Sequence, residues 1–509
     1  MKSHHQAKWI RILGAFLMAT TLLAPAPQSA AAQAQEPQKP ASELEQLKDR
    51  LQQLEKVMQE IKGQINGMEQ AQKPGGPVTP APTQASASAS VEQKGKSSAP
   101  KAIEAVYSTK ADPPADPATA VASPRRQDDK KGENTFQIYG FAMLDAGFQF
   151  RQSDPDWFDV MRPSKLPSFG DQFAPDGKVF LGVRQSRLGV KGTTATKYGE
   201  LKTTFEFELF GVGSNVGETT FRLRHAYGEL GHFGAGQYWS VFVDVDSFPN
   251  TVEYWGPNGL VWFRNVQFRW MPLKGKNALT IGIERPGASG DQGRVADRNE
   301  LQGIRAKFDL PDLTANARFT RDWGHVQIGG LLKRVKWVDT LDDGFDLGGS
   351  DVGWGIAVSA VPKFNKNNVG RFQFIYGEAI QNYLNDAPVD VAIERTNSSD
   401  PRRPIKGVSL PAFAMSAYLD HTWSKRFSSA LGYSVVNIEN TEGQADNAYH
   451  RGHYASTNLL FYPVDNAMVG AEFIWGKREN FRDGFSPDDA RLQFVFKYNF
   501  SKLFTNFDK

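Results

Sequence analysis

Cysteine is absent from all 509 residues, which excludes disulfides, thiolate catalysis and Cys-ligated metals together. The absence also suits an oxidising compartment, where stray thiols are a liability. Net charge is scarce as well: 59 basic against 56 acidic side chains leave +3, so bulk charge argues against a polyanionic partner such as nucleic acid. No apolar run of about 18 residues follows the N-terminus, which excludes a helical membrane bundle. A transmembrane β-barrel stays open, because its strands alternate and average out in hydropathy. Catalytic signatures are missing too. The chain holds no G-x-S-x-G, no H-E-x-x-H and no spaced pair of ligands, and a Ser/His/Asp trio drawn from eight histidines would be chance. No enzyme, cofactor or metal is expected.

What the chain has is glycine and aromatics, with Gly 47, Phe 35 and Trp 11. Residues 1–34 read as a secretory signal: Lys2, Lys8 and Arg11 precede ILGAFLMATTLLAPA, and the small residues SAAAQA follow. A retained anchor helix is the weaker reading, because the apolar core is short. Residues 42–70 carry a heptad. Leu44, Leu51, Met58 and Ile65 share one position, and Leu47, Leu54, Ile61 and Met68 fall three residues later. Flanking Glu43 with Lys48, and Arg50 with Glu55, are opposite in charge across neighbouring helices, which favours a parallel trimer over a lone amphipathic helix. Residues 71–134 are a disordered linker; KPGGPVTPAPTQASASAS cannot bury enough apolar surface to fold.

From 135 to 509 the texture is that of strands. FQIYGFAMLDAGFQF, LKTTFEFEL and RLQFVFKYNF each set an apolar face against a polar one at period two. Such segments recur about every 20–25 residues, and ten of the eleven Trp fall here, many near strand ends (Trp239, Trp262, Trp270, Trp337, Trp423, Trp475), as an interfacial girdle requires. Connections alternate short (194–197, 231–234, 424–427, 463–466) and long (151–178, 244–261, 383–409). A scan yields seventeen candidate strands. The alternation leaves no room for the one at 302–310, so 287–312 becomes a single long outer loop and sixteen antiparallel strands remain, a porin-sized barrel.

The connection 244–261 is too long and too aromatic to stand loose in water, so it is expected to fold into the barrel and narrow it. Its constriction residues are Asp244, Asp246, Glu253, Tyr254 and Trp255. Beside it, Arg184, Arg187, Arg222, Arg224, Arg264 and Arg269 are the candidate pore-lining cations, set against the acids of the loop; rings of Arg favour anionic solutes at a constriction. Arg184 and Arg187 fall on opposite faces of one strand, which calls for a bulge or a covered wall. The bland alternative is that Glu206 and Glu208 neutralise Arg222 and Arg224 across the ladder. The five aspartates of 339–351 lack EF-hand spacing and read as a hydrated loop in preference to a cation site.

VRQSRLGVKG, TTFRLRHAYGELG, DVDSFPNTVEYWGP and FRNVQFRWMP, with the N-terminal coiled coil, resemble the DcaP-like outer-membrane porins. The resemblance covers the coiled coil and essentially all of 135–509. It implies a homotrimer of sixteen-stranded barrels in the bacterial outer membrane, in contact with lipid and lipopolysaccharide, with the coiled coil in the periplasm. It also implies diffusion of small anionic solutes, dicarboxylates above all. For the coiled coil, a peptidoglycan contact and a trimer lock both stay open. One departure is the end: such barrels usually finish on an aromatic residue, whereas here SKLFTNFDK follows Phe500. The rival functions are a trimeric surface adhesin, which would need an exported passenger domain, and an outer-membrane hydrolase, which would need an active site.

Overall fold

The computed structural model describes residues 134–396 and 399–505. The expected signal peptide, coiled-coil core and linker lie outside the described residues. The strands are β1 (Thr135–Gln149), β2 (Lys178–Gly182), β3 (Arg187–Thr196), β4 (Gly199–Phe210), β5 (Thr219–Leu230), β6 (Phe233–Trp239) and β7 (Arg264–Leu273). Then come β8 (Asn277–Glu284), β9 (Gly290–Asp291), β10 (Ile304–Ala306), β11 (Asp312–Arg321), β12 (Gly324–Asp339), β13 (Gly349–Pro362) and β14 (Asn368–Glu378). The last are β15 (Val391–Arg395), β16 (Ile405–Ser409), β17 (Pro411–Ser424), β18 (Phe427–Ile438), β19 (Tyr449–Val464), β20 (Ala467–Asn480) and β21 (Asp488–Thr505).

β21 pairs antiparallel with β1 along the whole of β1, from Thr135 opposite Thr505 to Gln149 opposite Arg491, and so closes the sheet. Closure removes the edges that no bilayer could satisfy. β2 and β3 both pair with β1 and are two arms of one wall strand. With that pair counted once, and β9, β10, β15 and β16 set aside, sixteen antiparallel strands make the wall. Ile304–Ala306 is a short ribbon on the far end of β12, not a wall strand, as the alternation of connections required.

Two solvents write the period-two pattern. On β4, Phe205 and Phe207 point out and are 48% and 38% exposed, while Glu206 and Glu208 point in and are buried. Phe268, Leu332, Phe374, Leu431 and Phe494 repeat the outward half elsewhere. In water such a surface would aggregate; facing acyl chains it is the stable arrangement.

Two details differ from expectation, and a third answers one. Trp270 and Trp423 are exposed near strand ends, but Trp239 and Trp262 are buried inside the barrel, edge to face at 5.8 Å. At those strand ends the chain turns inward, so the aromatics pack on a loop instead of on lipid. The last strand also runs past Phe500 to Thr505, where Phe504 meets Phe136 with ring centroids 6.3 Å apart. Finally, the wall is interrupted at 183–186. Ser186 N donates to Val183 O at 2.9 Å, and Met143 N donates to Ser186 Oγ at 3.1 Å. This break lets Arg184 and Arg187 both turn inward despite their odd spacing.

Candidate functional site

The chain between β6 and β7 lies inside the barrel; from 240 to 263 every residue except Val245 and Asp246 is buried. Its fasteners come from the opposite wall. Asp244 accepts from His325 on β12 at 2.8 Å, from Ser359 on β13 and from Arg318 on β11 at 3.4 Å, and Arg318 also binds Asp246. Asn250 N donates to Asp420 on β17 at 3.1 Å. Glu472 on β20 accepts the amides of Val252 and Glu253 at 2.8 and 3.1 Å. The loop then turns back, and Asn258 Nδ2 donates to Gly452 O on β19 at 3.0 Å. Phe248 stacks on Trp262 at 4.4 Å to close the circuit.

Close approach to the wall explains one glycine. A Cβ on Gly259 would fall 2.3 Å from Met415 O and 2.8 Å from Val435 O, both backbone atoms of the ladder. Gly259→Ala should therefore lift the loop off the wall; increased open-channel current noise in planar bilayers, with the barrel still folded, is the expected reading.

Two further connections join this loop. Met161 N, between β1 and β2, donates to Glu253 at 2.9 Å, and Arg491 holds Phe158 O and Val160 O at 2.9 Å each. Arg162 lies between Trp157 and Trp255, 4.1 and 4.2 Å from the two rings, and pairs with Asp386 at 2.8 Å. Asn385 Nδ2 reaches Pro257 O at 2.9 Å and also Trp255 O. Three of the long connections, 151–178, 244–261 and 383–409, thus meet inside.

The arginines divide. Arg187, Arg222, Arg224 and Arg264 converge on two carboxylates. Arg224 Nε lies 2.6 Å from Glu206 and its Nη1 binds Glu208. Arg264, Arg222 and Arg187 approach Glu208 at 3.1, 3.5 and 3.6 Å. Tyr139 donates to Glu206 at 2.8 Å. A bulge makes this possible: Glu206 pairs with His225 and Phe207 with Leu223, so Arg224 is the extra residue. Gln237 Nε2 satisfies the spare carbonyls of Leu223 and Arg224 at 3.0 and 3.2 Å.

Arg184 stands apart, paired with Asp159 at 2.7 Å and bound to Glu218 O and Gly211 O. Arg269 is also separate, held by Gln267 at 3.0 Å and set 5.3 Å from the rings of Tyr227 and Tyr238. The acids of the loop do not face these arginines, contrary to expectation. The loop crosses to β11–β13 before it returns, so Asp244 and Asp246 meet Arg318, and Glu253 meets backbone amides. Tyr254 alone comes near the cluster, stacked on Phe210 at 3.8 Å and close enough to interact electrostatically with Arg222 and Glu208. Sequence reasoning missed Arg162, Asp386, Arg318, His325 and Glu472. For Glu472 the alternation in AEFIWGK shows an inward carboxylate, though not its partner.

Of the five aspartates of 339–351, Asp339 and Asp343 brace their own loop, while Asp346 and Asp351 tie it to the segment 403–409. Asp339 accepts the amides of Leu341 and Leu347 at 3.1 Å, and Asp346 pairs with Arg403. Among the described residues, Asp244, Asp246 and His325 are near enough together to hold a metal, but the Arg318 guanidinium already binds both carboxylates.

A closed wall with an apolar outer face and a long connection fastened across its interior is the fold of outer-membrane channels of the porin type. A family model described as DcaP outer membrane protein matches residues 131–500. The chain belongs to that family, and so to the bacterial outer membrane. The outer membrane channel DcaP of Acinetobacter baumannii has the same fold, with 21% identity and a TM-score of 0.61 over 72% of this chain and 97% of that one. An anion-selective porin from Comamonas acidovorans matches at 11% identity and TM-score 0.46, over 73% of this chain and 100% of that one. OmpT of Vibrio cholerae matches at 14% and 0.45, over 73% and 99%. A comparison with curated proteins finds no match.

Proposed function

We propose that the protein is a passive diffusion channel for small hydrophilic solutes, with a preference for anions of the dicarboxylate type. The observation that carries this reading is a charge surplus. Four guanidiniums (Arg187, Arg222, Arg224, Arg264) meet two carboxylates (Glu206, Glu208), and 4 − 2 leaves +2 beside the inward loop. In a confined, low-dielectric passage that surplus offsets part of the hydration an anion loses. Arg222 is the most open of the four, its side chain 12% exposed. We assign it the solute contact, where its planar fork suits a carboxylate. Arg269 would pass the solute onward, and Arg184 would hold the first connection in place. Asp244, Asp246, Glu253, Tyr254 and Trp255 would set the bore. The working assembly would be a homotrimer, joined by the periplasmic coiled coil and embedded in lipid and lipopolysaccharide.

Arg222→Ala tests the assignment. Under a salt gradient the wild type should show an anion-selective reversal potential, and the variant should lose at least half of that preference. Unchanged selectivity would sink the role of Arg222. Liposome swelling with a four-carbon dicarboxylate, its monoacid and the corresponding diol then tests the solute class, with the dianion expected to enter fastest.

A further inference from the structure

The outer surface of the wall is apolar over most of its height, yet one sector at the long-connection end carries cations. On β12, Ile328 and Leu332 point outward, 47% and 49% exposed, and Arg334 and Lys336 continue the same face. β10 adds to this edge. Arg305 pairs with Val338, and Lys307 N donates to Lys336 O at 2.9 Å, so ladder parity puts Arg305 and Lys307 on the same side. Both are exposed. Asp309 is the acid among them, 2.8 Å from Lys336 and 3.5 Å from Arg334. Lys336 holds the Asp309 carboxyl below the usual range, so it stays ionised. Four cations and one anion, 4 − 1, leave +3 on a face turned away from the channel.

Beside Asp309, the wall strands β7 and β8 and the segment 308–311 border an open, mostly apolar crevice of about 400 Å³. Val266, Phe268, Ile283, Phe308 and Leu310 line it, four of them at least 43% exposed. Cations beside an apolar slot, joined to its rim through Asp309, are complementary to an amphiphile carrying both negative charge and chain. A free anion would use the cations alone, and an uncharged lipid only the slot.

We infer that this sector binds a phosphorylated glycolipid of the outer leaflet, with its phosphates at Arg305, Lys307, Arg334 and Lys336 and an acyl chain in the crevice. The site lies outside the lumen and does not depend on the solute preference proposed above. The full chain in detergent is titrated with bisphosphorylated lipid A, with dephosphorylated lipid A and with inorganic pyrophosphate. The bisphosphorylated form should bind most tightly. A Lys307→Gln/Lys336→Gln variant should lose about 30-fold in affinity for it, at roughly fivefold per cation near a membrane surface. Its single-channel conductance and heat-modified gel mobility should stay at wild-type values, since Lys307 is exposed, Lys336 is half-buried, and both lie on the face turned away from the channel. Equal binding by variant and wild type overturns the proposal, as does pyrophosphate binding as tightly as the lipid. A variant that falls apart into single chains also overturns it, because the sector would then be a contact between copies.

Discussion

Excising residues 248–258 and bridging the gap with a short Gly-Ser segment should raise single-channel conductance several-fold. The loop crosses the lumen from β6 to β20 and back, so its removal clears the middle of the barrel. Thermal opening of the intact loop would not achieve the same. Its backbone amides are held by Asp420 and Glu472, and its own Asn258 and Asp244 side chains grip Gly452 O and His325. Each bond to a carboxylate contributes about 1.5–3 kcal/mol net and the amide–carbonyl bond about 0.5–1.5 kcal/mol, and they would have to break together. The freed wall groups, Glu472 and Asp420 among them, would meet water in the opened lumen, so the barrel should still form. Heat-modified gel mobility checks that, and planar-bilayer recordings check the rest. A folded variant with wild-type conductance would show that the loop does not set the bore.

Glu208→Gln is expected to have the largest effect on stability. One carboxylate there serves Arg187, Arg222, Arg224 and Arg264. Removing its charge leaves four guanidiniums on Glu206 alone, a surplus of 4 − 1 = +3. An uncompensated charge at a buried site costs about 3–5 kcal/mol. The midpoint of thermal unfolding should fall accordingly, while anion selectivity should rise. Adding Arg264→Gln restores the surplus to 3 − 1 = +2 and should recover most of the lost stability. A double variant as unstable as the single one would falsify the account of a shared charge cluster.

The wall was legible because lipid and packed interior make opposite demands on successive residues. Phe205, Glu206, Phe207 and Glu208 mark a strand with one apolar face, and its recurrence with alternating short and long connections turns that face to lipid. The odd spacing of Arg184 and Arg187 was informative for the same reason: a parity conflict inside a strand needs a break, and the break is at 183–186. The inward loop was legible in its length and aromatics. Its fasteners were not, because no local spacing joins Val252 to Glu472 or Arg162 to Asp386. Trp239 and Trp262 misled because an aromatic at a strand end suits lipid and an inward loop equally well. The neutralising pair Glu206 and Glu208 could be read from the ladder, but not that four arginines would share it.

The inward turn of the three long connections also decides what the cell shows to its surroundings. Residues 157–168, 240–263 and 379–386 are almost wholly buried, so an antibody, a protease or a phage tail fibre would find little there to grip. What stands open at that end includes 169–171, 174–177, 213–215, 297–299, 341–344, 401–403 and 482–484. Immune pressure would therefore fall on residues that have no part in setting the bore, and surface variants could diversify without altering what passes through.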